Sequence, residues 1–396
     1  MKMRYKIFIQ LLLCVLLSSC NEEELGYYPE PEISDRNAPK TIIAYLIGEN
    51  NLSSYLNSNV VNMINGYHAM RNDSLCNFII YYDDYRSPRL YELKYNPKRD
   101  RTDTLCIKRY NERNSLEETN INEVLSFIRA HYNTPEYGFI WGSHGSGWIP
   151  ATKRSRALGP DGTDYLELPE LWNAIPEGMY FEFMLFDACF LGQAETVNLF
   201  ANKARYIIAS PTEVPGNGFS YDRITKLLCT AESVEDYSEI CKTYVDFYRS
   251  RWYSISLYDN SRIDEVAAAF KSILSCIKKY DLGKIDLNRV QHLDRKNDII
   301  INRNVTYDLL SLARHLVRIK NTPEMAPLLQ QLEEAVSRLI PYTAYTEFLN
   351  GLYITEFCGI STYWPQNDLI YINEFYVKNF DWASNSGLDM IIDMTW

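Results

Sequence analysis

A cysteine and a histidine, each closing an apolar run, are the residues of this 396-residue chain best placed for nucleophilic chemistry. Cys189 ends the stretch FEFMLFDACFLG (residues 181–192), whose aromatic and branched start predicts a strand covered on both faces. His144 ends a second run, YGFIWGSHGSGW (residues 137–148), among Gly142, Gly145 and Gly147, which allow close backbone approach. A cysteine attacks as the thiolate, and a neighbouring imidazole is the usual means of forming one at neutral pH. Two parallel strands joined by a crossover bring their carboxyl ends to one edge of a sheet, the edge where open α/β folds bind ligands. His144 is therefore read as general base and later acid, and Cys189 as nucleophile. The sequence LGQAETVNLFANKA has apolar positions at helical spacing after Gly192, which sets Cys189 at a strand-to-helix turn, near a helix N-terminus that favours a thiolate.

The other histidines, His68, His131, His292 and His315, lie in polar or helical settings without flanking glycines. His144 precedes Cys189 by 45 residues, the order and approximate spacing of the pair in caspases. HGSGW, then DACFLG at a strand end, then ASPTEVPGNGFSY (residues 209–221) resemble the clostripain family of cysteine peptidases, in the caspase-like clan. The likeness runs from about Thr41 to the C-terminus and includes AYLIGENNL near the start and GISTYWP (residues 359–365) near the end.

Composition sets outer limits. A 46% hydrophobic content supplies ample core for two domains or one large α/β unit. The formal charge of −11 argues against nucleic-acid binding, which requires a basic face. Six cysteines besides Cys189, namely Cys76, Cys106, Cys229, Cys241, Cys276 and Cys358, fall within apolar strand or helix patterns and are expected to be mostly buried free thiols.

Residues 1–19 read as a signal peptide. Lys2, Arg4 and Lys6 precede an apolar run, and Leu17, Ser18, Ser19 and Cys20 resemble a bacterial lipobox, which implies cleavage before Cys20 and lipidation of its sulfur. The chain would then be lipid-anchored in the cell envelope, at the outer membrane or cell surface. Glu22, Glu23 and Glu24 resemble a surface-export signal or serve as a solvated tether. Residues 20–40 form an acidic, proline-containing tether.

From residue 41 to 396 a single peptidase domain is expected. Before His144 the pattern is strand, helix, strand, hairpin, helix, strand: a doubly wound, mostly parallel sheet flanked by helices, with one edge elaboration. After Cys189 come further strands at 206–210 and 253–258, helices at 225–230 and 234–251, and a helical elaboration over about 262–340, with helices at 262–280, 305–320 and 323–340. The polar segment 281–304 is the nearest thing to an internal boundary, and residues 351–365 read as a strand pair. Residues 149–162 (IPATKRSRALGPDG) lack periodicity and read as a loop.

The family resemblance implies roles for particular residues. The backbone N–H groups of Gly145 and Cys189 would form the oxyanion hole. Asp187, facing the same side as Cys189, would floor the S1 pocket and receive Arg, or less well Lys, at P1, although a helix-capping role is an alternative. Glu213 and Asn217 are further pocket candidates. Family members cleave themselves between His and Cys after a basic residue, so Lys153, Arg154 or Arg156 would be the cleavage site in loop 149–162. Asp161, Asp164 and Glu167 offer oxygen ligands to Ca²⁺ without the pattern of an EF-hand loop, and the family contains both calcium-dependent and calcium-independent members. The partners implied are protein or peptide substrates with a basic P1 residue, and a membrane through Cys20. Two other readings stand beside this one: a catalytically silent surface lipoprotein that uses the fold for binding, and a Cys hydrolase acting on small molecules, which would not need Asp187.

Overall fold

The computed structural model of the chain describes residues 38–150, 158–277, 282, 285–294 and 303–392. The expected signal peptide, Cys20, most of the tether and the basic triplet Lys153, Arg154 and Arg156 lie outside the described residues. Ala38 and Lys40 belong to the fold and not to a tether. Ala38 is buried, and the buried Lys40 ammonium donates to the Ala231 carbonyl and lies 3.3 Å from Glu136 Oε2.

The chain begins with β1 (Lys40–Ile47), α1 (Ser53–His68), β2 (Cys76–Asp83), the hairpin β3 (Arg89–Asn96) and β4 (Arg101–Arg109), α2 (Glu118–His131) and β5 (Glu136–Gly142). This is the order expected before His144. It continues through β6 (Leu158–Asp161), β7 (Asp164–Leu166), α3 (Leu168–Ala174), β8 (Phe181–Asp187), α4 (Ala194–Leu199) and β9 (Ala204–Ala209). Next are α5 (Tyr221–Thr230), α6 (Val234–Phe247), β10 (Ser254–Asp259), α7 (Ile263–Ser275), β11 (Thr306–Asp308), α8 (Leu309–Lys320) and α9 (Met325–Leu339). The last elements used below are β12 (Tyr342–Tyr345), β13 (Phe348–Leu349), β14 (Leu352–Tyr353), β15 (Ser361–Tyr363) and α10 (Ile370–Asn379).

Among the described residues, nine strands form one sheet in the order β12-β10-β9-β8-β5-β1-β2-β3-β4. Neighbours from β9 to β2 run parallel, and the strands beyond them on both sides are antiparallel. Alternation along β1 explains why its run is continuously apolar. Ile43, Tyr45 and Ile47 enter the core cluster on one face, while Ile42, Ala44 and Leu46 enter the cluster on the other. The helical elaboration is no detached subdomain, since buried residues of α7, α8 and α9 share a cluster with Phe186 and Trp141 of the sheet. Ile285, Leu287 and Val290 join the same cluster, so residues 285–290 are packed into this core.

Three expectations need correction. Residues 158–161 are not loop but the first strand of a hairpin, because Gly162, at φ +54°, turns the chain directly after Asp161. The helix expected over 305–320 starts at Leu309; residues 306–308 pair with β15, whose GISTYWP sequence closes against the core. The helix after Cys189 begins only at Ala194, so a helix N-terminus does not abut the sulfur. The seven cysteines of the described residues are all free, with Cys76, Cys229 and Cys241 buried and Cys106, Cys276 and Cys358 half-buried like Cys189.

Glu195, on α4, is fully buried. Its Oε1 accepts from Thr362 Oγ1 and Tyr363 N, each at 2.9 Å, while Oε2 meets no donor. Burial pushes its pKa from 4.5 up to about 7. A carboxyl raised on folding is bound to its proton more firmly in the native state. Its destabilising effect therefore builds as pH climbs from 4.5 to about 7 and is fully present above that. Glu195→Gln should gain melting temperature over the parent across that window and hold the gain at higher pH; thermal scans between pH 5 and 8.5 measure this.

Candidate active site

Strands β5 and β8 are parallel neighbours, and their register pairs Gly142 with Asp187. His144 and Cys189 each lie two residues further along, so both emerge at the same height above the carboxyl edge of the sheet. Both line one cavity of about 320 Å³, together with Asp187, Ser143 and Glu213. The two loops are pressed together. A Cβ built on Gly145 would sit 2.5 Å from the Cys189 carbonyl oxygen and 3.0 Å from Cys189 N, so only glycine fits there. The amides expected to bind an oxyanion thus belong to backbone segments in direct contact. Gln193 locks the same two loops: its Oε1 accepts from Trp148 N at 3.2 Å, and Trp148 is buried against Tyr363 and Tyr376.

The His144 ring Nε2 lies 2.5 Å from Asn51 Oδ1. An amide oxygen only accepts, so Nε2 carries the hydrogen and Nδ1 presents its lone pair. Burial lowers the His144 pKa, which keeps the ring neutral at pH 7 and able to take a proton. The sulfur of Cys189 accepts from Val214 N at 3.3 Å, a contact that favours negative charge on it.

Asp187 is buried at the cavity wall, where its Oδ2 accepts from Phe219 N at 3.3 Å and from Tyr221 Oη at 3.0 Å. Desolvation raises its pKa to about 6 against these two hydrogen bonds, which lower it. The carboxylate does not cap the helix that follows β8; it anchors loop 211–219 across the sheet edge. Gly218 is required for that contact, because a Cβ there would lie 2.2 Å from Asp187 Oδ2.

The clostripain family model matches residues 44–395. The chain belongs to the clostripain family. Clostripain of Hathewaya histolytica is 23% identical over 236 residues, which cover 52% of this chain and 45% of that protein. The match spans less than half the length of this relative. An inactive zymogen C11 protease from Parabacteroides distasonis superposes with a TM-score of 0.76 at 26% identity, over 88% of this chain and 98% of that one. A secreted C11 cysteine protease from Bacteroides thetaiotaomicron, solved with an irreversible peptide inhibitor, shares the fold at a TM-score of 0.76 and 24% identity, over 88% and 99% of the two chains. The chain thus carries the caspase-like sheet of C11 peptidases.

Within this clostripain-family site the remaining expected residues divide. Glu213 lines the cavity and accepts from Asn350 Nδ2 at 2.6 Å, whereas Asn217 does not line it. The chain after Pro215 turns at Gly218, and Asn217 falls outside the wall. Asp161, Asp164 and Glu167 do not converge. Glu167 instead forms a capping box with Glu170 at the start of α3. Among the described residues, the acids that do converge are Glu49, Asp83 and Asp161.

Sequence reasoning missed Asn51, Gln193, Trp252 and Asn350. Asn51 carries a weak signal, as a polar residue in the Asn-rich turn directly after the first strand of the AYLIGENNL motif. Trp252 and Asn350 reach the cavity from distant segments, and no local pattern marks them. Asn51→Ala should lower kcat with little change in KM, forfeiting part of the roughly 10²–10⁴ that a positioned general base contributes. Steady-state kinetics on one peptide would show whether the loss falls on kcat.

Proposed function

We propose that the protein is a cysteine endopeptidase that cleaves after Arg, and less well after Lys, with Cys189 as nucleophile and His144 as base. The observation that carries this reading is the shared cavity: a thiol, a neutral imidazole and a buried carboxylate line one 320 Å³ space at a single sheet edge. In the proposed reaction His144 Nδ1 takes the thiol proton as sulfur attacks the scissile carbonyl. The amides of Gly145 and Cys189 hold the oxyanion, and the imidazolium then gives its proton to the leaving amine. Water enters in the second half-reaction, with His144 again as base, and releases the acyl group. Asp187 receives the P1 cation from the cavity it lines, at a wall where its carboxylate is buried. A panel of fluorogenic peptides differing only at P1 tests the assignment. Turnover in the order Arg, Lys, then neutral residues supports it, and equal turnover of a neutral P1 refutes it.

Self-cleavage after Lys153, Arg154 or Arg156 belongs to the same proposal. The chain is anchored on both sides of this segment: Trp148 N bonds Gln193, and Gly159 N bonds the His144 carbonyl at 3.3 Å. The two fragments would remain joined through the neighbouring strands β5 and β8. Intact-mass analysis of active protein should give two chains divided between residues 153 and 157; one uncut active chain contradicts this. We further propose that lipid on Cys20 holds the peptidase at the cell envelope. Detergent partitioning of the parent and of Cys20→Ser should place the first in the detergent phase and the second in the aqueous phase.

A further inference from the structure

We propose that Trp252 forms a second specificity pocket in the catalytic cavity and selects a large apolar residue at P2, the position immediately upstream of the basic P1 residue. This deepens the peptidase reading and rests on it. Trp252 lines the same cavity as Cys189 and Asp187, yet nothing in the P1 assignment uses it. The reaction decides on which side the upstream residues lie. His144 hands its proton to the leaving amine, so the departing half of the substrate lies over β5 and the acyl half runs from Cys189 the other way. In the sheet, that way leads from β8 across β9 to β10.

Strand register carries Trp252 to a matching height. Leu185 of β8 pairs with Ile208 of β9, which pairs with Leu257 of β10. Because β10 runs antiparallel to β9, its start lies at the carboxyl edge of β8. Cys189 is four residues past Leu185 and Trp252 five residues before Leu257, so the two leave the sheet at similar heights. Asp187 sits lower, on the strand itself. Successive side chains of an extended peptide leave on opposite sides. A P1 side chain directed down to Asp187 therefore turns the P2 side chain up toward the level of the indole.

The indole is held in place from several directions. Ser254 Oγ lies 2.7 Å from Thr212 Oγ1 and 2.6 Å from Ser210 Oγ, which fixes the start of β10 against loop 211–219. Tyr253 N donates to Thr346 Oγ1 at 3.1 Å, and Thr346 N donates to the Tyr253 carbonyl at 3.0 Å. Trp252 packs against a separate small core of Leu293, Leu349, Leu352 and Ile354, two of them from the β13–β14 hairpin. The tip of that hairpin is tied to the catalytic loop, because Asn350 Nδ2 donates to Glu213 Oε2 at 2.6 Å. Trp252 is only half-buried by this packing and lines the cavity together with Val214 and Pro215. Apolar surface of this kind is costly in water, and an apolar side chain laid on it removes that cost. Among the described residues no Lys or Arg lines the cavity, so an acidic P2 residue finds no partner there.

Fluorogenic peptides with P1 held as Arg and P2 varied among Gly, Leu, Phe and Asp test the pocket. The parent should turn over the Leu and Phe peptides with a kcat/KM roughly 10- to 100-fold above that of the Gly peptide, the scale of burying one such side chain, and the Asp peptide least well. Trp252→Ala should bring the Leu and Phe peptides down to the Gly rate while leaving the Gly peptide within about a few-fold of the parent. Trp252→Phe should keep most of the preference. Tyr180→Ser, which removes an exposed aromatic just before β8 at the opposite edge of the sheet, should change nothing. Melting temperatures control for folding, and the parent's own P2 profile decides the matter if Trp252→Ala does not fold. Turnover of Arg peptides without preference at P2, or a preference that survives Trp252→Ala, overturns this inference and leaves the peptidase reading standing. Failure to turn over any of the four peptides overturns both.

Discussion

Cys189→Ala should lower kcat by a factor on the order of 10⁶, the scale of losing a covalent nucleophile whose base has no other task. The expected loss is large because the site has a single thiol: Cys189 is the cysteine that lines the cavity with His144. The fold should not suffer. The sulfur contacts the Val214 backbone of the neighbouring loop, and the side chain is half-buried, so removal leaves no cavity in the core. His144→Ala should be nearly as damaging, and the double variant no worse than Cys189→Ala alone, since nucleophile and base act as one unit. Rates on an Arg peptide for the three variants, with melting temperatures as control, give the comparison. Additive losses would indicate that the two groups do not cooperate.

Asp187→Asn should remove the preference for a basic P1 residue and leave the backbone in place. The amide retains an oxygen to accept from Phe219 N and Tyr221 Oη, so loop 211–219 keeps its anchor while the charge disappears. A cationic side chain buried beside a neutral group loses its partner, which costs about 3–5 kcal/mol, or roughly 10²–10⁴ in kcat/KM for an Arg peptide. A peptide with neutral P1 should be affected little. The same carboxylate gives the parent a pH signature. Its pKa is raised to about 6, so it is charged above that value and neutral below it. Binding of Arg peptides should therefore weaken as pH falls through about 6. Asp187→Asn should show low activity without that inflection. A parent profile flat between pH 5 and 7 would argue against Asp187 as the cation's partner.

The strands that position the site were legible because they are buried on both faces. Runs such as KTIIAYLI and FEFMLFD admit little but a central parallel strand, and their abrupt ends mark the active edge. His144 and Cys189 followed from those ends and from the small residues around them. The start of the helix after Cys189 was misjudged because apolar spacing does not distinguish a helix from the turn leading into it. Residues 189–193 are held there by Thr212, Ser210 and Ser361, contacts made far away in sequence. The hairpin at 158–166 escaped notice because its strands are too short for alternation to register, although Asp161 and Gly162 are a hairpin signal. Asn217 was placed in the pocket wall from its neighbourhood to Glu213, and a left-handed Gly218 directs the chain otherwise. The acids also regrouped. Asp161 groups by spacing with its sequence neighbours, but its companions in the structure, Glu49 and Asp83, come from the ends of two other strands. Long-range convergence of this kind leaves no trace in local spacing.

The central claim is that Cys189, activated by His144 and aimed by Asp187, is the group that attacks a peptide bond after a basic residue. It is tested most directly by treating the protein with an Arg-acyloxymethylketone peptide and locating the adduct by tandem mass spectrometry. The account predicts a single adduct on the Cys189 sulfur, formed far more slowly in His144→Ala and in Asp187→Asn. An adduct on another cysteine, or labelling of Cys189 at the same rate in the parent and both variants, would contradict it.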